Sequence, residues 1–288
     1  VRFRGSVGPV AERGRVLKRR EFIKAFALGG AGLLVGAGTW GEVGASELKP
    51  GTTWSCGEAV VLPPWPYGKG SYSTDTVLMF RGNPTHTFYG TGPVRSTLEA
   101  RWSFRTEDFS TSLRGEPKVW SGTGWTGQAS HLGGYLFFGS QDRHLYCLRA
   151  ADGKLMWKYR GNRMFKGSLC IYDNRIFAPN VDDRIHCLDA ATGNLIWQFN
   201  TGSDCDSSPC VVEGKLYIAG ESGYVRCIDP VGGSELWRFR VGGTGAGTKA
   251  GSNGAESSVA VDGAQLVVCN YFGDVHCIDI NTQKLLWK

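Results

Sequence analysis

An all-β array of repeated four-stranded antiparallel units is the fold class that this 288-residue sequence predicts. One eleven-residue phrase occurs four times, as CLRAADGKLMW (Cys147 to Trp157), CLDAATGNLIW (Cys187 to Trp197), CIDPVGGSELW (Cys227 to Trp237) and CIDINTQKLLW (Cys277 to Trp287). Successive tryptophans stand 40, 40 and 50 residues apart, a period of stacked supersecondary units rather than of one irregular core. Short β-forming runs separated by turn residues precede each phrase.

The chain divides at residues 45 and 97. Residues 1–45 hold eight Lys/Arg against three Asp/Glu, which leaves 24 basic and 23 acidic residues in the remainder of the chain. The formal charge of +6 is therefore a property of the N-terminus, and the near-neutral remainder argues against a nucleic-acid partner. Lys18-Arg19-Arg20-Glu21-Phe22-Ile23-Lys24, the Gly/Ala-rich apolar run Ala25–Thr39 and the small residues Val43 and Ala45 resemble a twin-arginine export signal cleaved after Ala45. Arg19, Arg20, Phe22 and Lys24 carry that resemblance. The apolar run is short and diluted by glycine for a membrane span, and no lipobox precedes Cys56, so no stable anchor is expected after cleavage. Residues 46–97 form an N-terminal extension.

Residues 98–288 carry the repeat, and one copy shows how it is built. Ser168–Tyr172 is a strand, Asp173-Asn174 a turn, Arg175–Ala178 a second strand and Asp182-Asp183 a second turn. Ile185–Asp189 follows as a third strand, Ala191-Thr192-Gly193 as a third turn and Asn194–Phe199 as a fourth strand. Four short antiparallel strands in forty residues is the period of a propeller blade. The equivalent first strands are Gln128–Leu132, Pro209–Val212 and Ser258–Val261; the second strands are Tyr135–Gly139, Leu216–Ala219 and Leu266–Asn270. The Gly-rich insertion Val241–Ser257 absorbs the longer last step. Ala100–Phe104, with Trp102, reads as an outer strand without three strands before it. The chain also stops one residue after Trp287, and together these features predict further blades beyond Lys288.

Four of the nine cysteines, Cys147, Cys187, Cys227 and Cys277, share one repeat position and are expected as small buried core residues. Cys170 and Cys210 share another, and a bridge between them requires Cα atoms within about 7 Å.

The phrase resembles the tryptophan-docking motif of the pyrroloquinoline-quinone (PQQ)-like propellers. Cys147, Cys187, Cys227 and Cys277 stand at its small first residue, and Asp189, Asp229 and Asp279 match its Asp, where Arg149 departs. Gly153, Gly193 and Gly233 match its turn glycine, where Gln283 departs. The resemblance implies that Trp102, Trp157, Trp197, Trp237 and Trp287 each pack on the turn of a neighbouring blade. Met79–Thr87 resembles the opening segment that precedes the first blade in that family.

Catalytic motifs are scarce. There is no Gly-x-Ser-x-Gly elbow, no His-Glu-x-x-His and no Cys-x-x-Cys. Gly243–Lys249 has the wrong order for a phosphate loop. His186 and His276 share a register on separate blades, so a common metal is not expected. The PQQ-like resemblance implies a site holding the quinone and Ca²⁺ on one face of the ring. Its candidates here are Trp120, Trp125, Arg163, Lys166, Asp204, Asp206, Asn253 and Glu256. The vicinal Cys-Cys pair of the quinoprotein dehydrogenases is absent. Two functions follow from the resemblance: a periplasmic, non-enzymatic scaffold for protein partners in the cell envelope, like the outer-membrane-assembly propellers, or a PQQ- and Ca²⁺-dependent dehydrogenase of alcohols or sugars. The repeats alone suffice for the first.

Overall fold

Alternating apolar and polar residues, interrupted by turns, produce nineteen strands in a computed structural model that describes residues 48–64, 76–87, 97–113, 115–122, 127–242 and 254–288. The proposed export signal with Arg19, Arg20, Phe22 and Lys24 lies outside the described residues. In chain order, β1 (Thr53–Ser55) is followed by a hairpin of β2 (Asp108–Leu113) and β3 (Glu116–Ser121). Four antiparallel blades come next. Blade 1 is β4 (Ser130–Leu132), β5 (Tyr135–Gly139), β6 (His144–Arg149) and β7 (Leu155–Arg160); blade 2 is β8 (Cys170–Tyr172), β9 (Arg175–Asn180), β10 (Arg184–Asp189) and β11 (Leu195–Asn200). Blade 3 is β12 (Cys210–Val212), β13 (Lys215–Ala219), β14 (Tyr224–Ile228) and β15 (Glu235–Arg240); blade 4 is β16 (Ala260–Asp262), β17 (Gln265–Cys269), β18 (Val275–Asp279) and β19 (Lys284–Trp287). Each strand predicted within the blades is present with its ends moved by up to two residues, whereas Ala100–Phe104, read as an outer strand, forms none; Trp102 reaches its turn from an extended segment without ladder partners.

The repeated phrase determines the same local geometry in every blade. Its Cys pairs across the ladder with its Trp (Cys147 with Trp157, Cys187 with Trp197, Cys227 with Trp237, Cys277 with Trp287), and a register shift follows each Cys. All four repeat cysteines are fully buried, and all nine are free thiols, so Cys170 and Cys210 are not bridged. Asp189 closes its turn by accepting hydrogen bonds from Thr192 N (2.7 Å) and Oγ1 (2.8 Å), and Asp229 and Asp279 do likewise. At Arg149 the polarity is inverted: its guanidinium pairs with Asp152 and Glu58.

Docking follows from the turn glycines. A Cβ on Gly153 would lie 2.5 Å from the indole of Trp102, one on Gly193 2.7 Å from Trp157, and one on Gly233 2.6 Å from Trp197. Each of these indoles donates to a carbonyl of the turn it covers: Trp102 to Ala150 (3.0 Å), Trp157 to Ala190 (3.2 Å) and Trp197 to Pro230 (3.3 Å). At roughly 25 cal/mol per Å², an indole that buries about 200 Å² contributes about 5 kcal/mol of gross burial. The series stops after three. Gln283 holds the glycine's place in the fourth turn at φ 59°, with the same backbone bond to Asp279 O (2.7 Å). Gln283 is exposed there, Trp237 is half-buried against the apolar cluster of blades 2 to 4, and Trp287 is 50 % exposed.

The extension before blade 1 does more than lead into it. β1 pairs antiparallel with β7, placing an additional strand on the outer edge of blade 1. Val77 bridges His131 of β4, Leu78 O accepts from Ile171 N of β8 (2.6 Å), and Pro84 O accepts from Val261 N of β16 (2.9 Å). This segment therefore lies across the first strands of three blades. Leu78 enters the apolar cluster of blades 1 and 2, and Met79 enters that of blades 2 to 4.

Candidate functional site

The first strands of successive blades are tied together by a polar belt. Gln128 N donates to Ser168 Oγ (2.9 Å), Ser168 N to Ser208 Oγ (3.0 Å) and Ser208 N to Ser258 Oγ (3.1 Å). These residues are repeat equivalents, and two positions before the three serines stand Lys166, Asp206 and Glu256. The belt draws those side chains together: Lys166 Nζ lies 2.6 Å from Asp206 Oδ2, and Asp206, Glu221 and Glu256 each bring an oxygen within 4.8 Å of the others. The expectation that side chains at one register stay apart therefore fails for the first strands and the loops entering them, where the blades are closest. His186 and His276, on third strands, occupy separate surroundings: His186 bonds Tyr159, Gln198 and Asp182, while His276 Nδ1 has no hydrogen-bond partner among the described residues.

Burial, reinforced by neighbouring like charge, dominates the electrostatics of this cluster. Burial, then the neighbouring Asp206 and Asp183, push the Asp204 carboxyl up to about 6. Burial, a hydrogen bond shared with Glu256 and the charge of Asp204 push Glu221 up to about 7. Asp206 is also raised, because its burial outweighs the Lys166 ammonium, and its Oδ1 is buried without a hydrogen-bond partner among the described residues. Tyr271 closes the group by donating to Glu221 Oε1 at 3.4 Å. Glu221 and Tyr271 were not among the sequence candidates. They lie in the turns between second and third strands, where no repeat phrase marks them.

Trp120, Arg163 and Lys166 line a second feature, a cleft of about 260 Å³ between the β2–β3 hairpin and the loop entering β8. Phe109 and Met164 supply its apolar walls. The Lys118 ammonium lies 3.9 Å from the Trp120 ring centroid, and Trp120 Nε1 is buried without a hydrogen-bond partner among the described residues. Lys166 borders both the cleft and the carboxylates. Trp125, Asn253 and the Gly243–Lys249 loop lie outside the described residues.

Three carboxylates with a buried, unbonded oxygen offer the hard oxygen ligands that Ca²⁺ takes, and the cleft offers an indole N–H and two cations to a planar anion. The donor set fits such groups in kind. The only ammonium beside the carboxylates among the described residues, that of Lys166, already occupies one oxygen of Asp206.

Repeated four-stranded blades joined by docked indoles define a tryptophan-docking β-propeller. The chain belongs to the family described as outer membrane protein assembly factor BamB, whose profile matches residues 99–288. Its fold is similar to that of BamB from Moraxella catarrhalis, with a TM-score of 0.52 and 20% identity over 57% of this chain and 52% of that one. It is also similar to the quinohemoprotein alcohol dehydrogenase ADHIIG from Pseudomonas putida HK5, with a TM-score of 0.54 and 17% identity over 75% of this chain and 40% of that one. The quinohemoprotein alcohol dehydrogenase from Comamonas testosteroni gives 0.53 and 16%, over 74% and 40%. The chain thus spans about half the length of the first of these proteins and two-fifths of the other two. No curated protein sequence matches it significantly. Among the described residues no helix is long and apolar enough to cross a membrane.

Proposed function

We propose that this chain is an exported propeller that acts as a non-enzymatic binding and assembly scaffold in the periplasm, with protein partners in the cell envelope. The family match to an assembly factor is the observation that supports this reading most directly. The cluster chemistry is compatible with it: carboxyls raised by burial and by one another, and closed by Lys166, make a neutralised polar centre without a bound group. Export by the twin-arginine route rests on Arg19 and Arg20, and replacing both with Lys is expected to retain the protein in the cytoplasm on cell fractionation.

A second reading is a PQQ- and Ca²⁺-dependent dehydrogenase, favoured by the unbonded Asp206 Oδ1 beside Glu221 and Glu256. In that reading the three carboxylates would hold the metal, and Trp120 and Arg163 would face the quinone, which supplies the two-electron acceptor. Titrating the purified full chain with PQQ and Ca²⁺ separates the two. The scaffold predicts neither tryptophan quenching nor alcohol-dependent dye reduction. Dye reduction that Glu256→Gln removes would overturn it.

A further inference from the structure

The outer strand of blade 1 is covered, and among the described residues those of blades 2 and 3 are not. β1 runs along β7 with Thr53 opposite Tyr159, Trp54 opposite Lys158 and Ser55 opposite Trp157. Arg160 N donates to Thr52 O (3.0 Å) and Cys56 N to Met156 O (2.9 Å). Met156 is 1 % exposed, whereas its repeat equivalents Ile196 on β11 and Leu236 on β15 are 46 % and 51 % exposed. Among the described residues no strand pairs with the outer edge of β11 or β15. An unpaired edge carrying exposed apolar side chains is a template for another strand, and β1 shows that an outer strand of this chain accepts one in antiparallel orientation.

The way β1 is seated selects between the two open edges. Thr53 Oγ1 donates to Gly193 O (2.7 Å), and its methyl would lie 3.0 Å from a Cβ on Gly193, beside the Trp157 indole. β11 offers the same arrangement, with Trp197 docked on Gly233. β15 does not, because Gln283 replaces the glycine and Arg238 places a charge on the outward face. The outward residues of β11, Ile196, Gln198 and Asn200, are uncharged.

We propose that the outer edge of β11 is a strand-addition site that takes an extended, uncharged peptide antiparallel, with a Ser or Thr over Gly233. The inference rests on the scaffold reading and specifies its partner as a polypeptide segment in extended form. Backbone bonds would supply affinity, and the hydroxyl position and Ile196 would supply selectivity.

The probe is a synthetic peptide of residues 50–57 carrying Cys56→Ser and blocked at both ends, so that it is uncharged, added to the full chain. Amide hydrogen exchange should slow by about tenfold at Ile196 and Gln198 at millimolar peptide, and much less at Leu236 and Arg238. Ile196→Lys should abolish the slowing, whereas Ile196→Thr, an uncharged β-former at an exposed site, should keep it. The proposal is overturned by no slowing at about 1 mM peptide, by slowing confined to Met156 and Lys158, which would mean exchange with resident β1, or by equal slowing in the Lys variant. Protection at Ile196 that rises with protein concentration in the absence of peptide would identify a second copy as the occupant and also overturn it. None of these readouts depends on dye reduction, so loss of the site and loss of the scaffold reading remain distinguishable.

Discussion

The junction between blades 1 and 2 and the junction between blades 3 and 4 derive from the same repeat and are held in opposite ways. At the first, Trp157 is fully buried on Gly193, Thr53 seals the contact, and His186 is bonded at both nitrogens by Tyr159, Gln198 and Asp182. At the second, Gln283 replaces the turn glycine, Phe239 stands at the repeat position of Tyr159 with no hydroxyl, and His276 Nδ1 is buried without a partner among the described residues. Four carboxyl groups, Asp204, Asp206, Glu221 and Glu256, gather in the loops of blades 3 and 4. A docking repeat thus sets where a junction forms, and a few substitutions within the phrase set how tightly it is held.

The largest expected effect separates the two tryptophans. Trp157→Ala should cost about 4 kcal/mol in urea unfolding, and Trp237→Ala, at a half-buried indole without a glycine platform, about 1 kcal/mol. Equal losses would erase the distinction. The turns come next. Gly193→Ala adds a Cβ at φ 72° against the indole and should cost about 2–4 kcal/mol, whereas Gln283→Gly relieves a left-handed side chain and should change stability by less than about 1 kcal/mol, towards greater stability.

A pH titration sharpens the contrast through its sign. The folded values of Glu221 and Asp204, about 7 and about 6, lie above their ordinary 4.5 and 3.8. The folded state therefore holds more protons than the unfolded state. The resulting stabilisation is fully present below about pH 4 and is lost as pH rises through 7. Glu221→Gln should flatten that slope in thermal unfolding measured between pH 4.5 and 8. At the other junction the sign reverses. Burial opposes ionisation of Asp182, but the hydrogen bond from His186 prevails and holds its pKa low, so Asp182 adds stability that is lost on acidification. The smallest effect is Phe239→Tyr, which offers a hydroxyl towards His276 and should gain about 0.5–1 kcal/mol, with no gain in a His276→Phe background.

Much of the fold was legible because the repeat writes one local solution four times. The period located the strands, the turn glycines located the docking contacts, and Gln283 marked the copy that departs from the motif. The site was legible in part. Lys166, Asp206 and Glu256 were candidates because they lie in loops between blades. Their grouping on one face was expected from the resemblance, but their direct contact was not legible, since the Ser168–Ser208–Ser258 belt that enforces it consists of hydrogen bonds between residues 40 and 50 positions apart. Glu221 and Tyr271 were missed for the same reason: an acid in a turn looks like solvation until another blade's carboxylate lies beside it.

By itself the sequence determined the strand order within each blade, the turns of the repeat and the class of side chain buried at each, because these depend on local propensity and on a period that stacking must satisfy; β1 and the β2–β3 hairpin, outside the repeat, were not marked. Only the tertiary structure decided which equivalent positions meet and which edges stay open. Distance from the inner strands makes Lys166 touch Asp206 while His186 and His276 stay apart, and β1 covers β7 while, among the described residues, no strand covers the outer edge of β11. Pairing across blades is a property of geometry that no single stretch of chain contains.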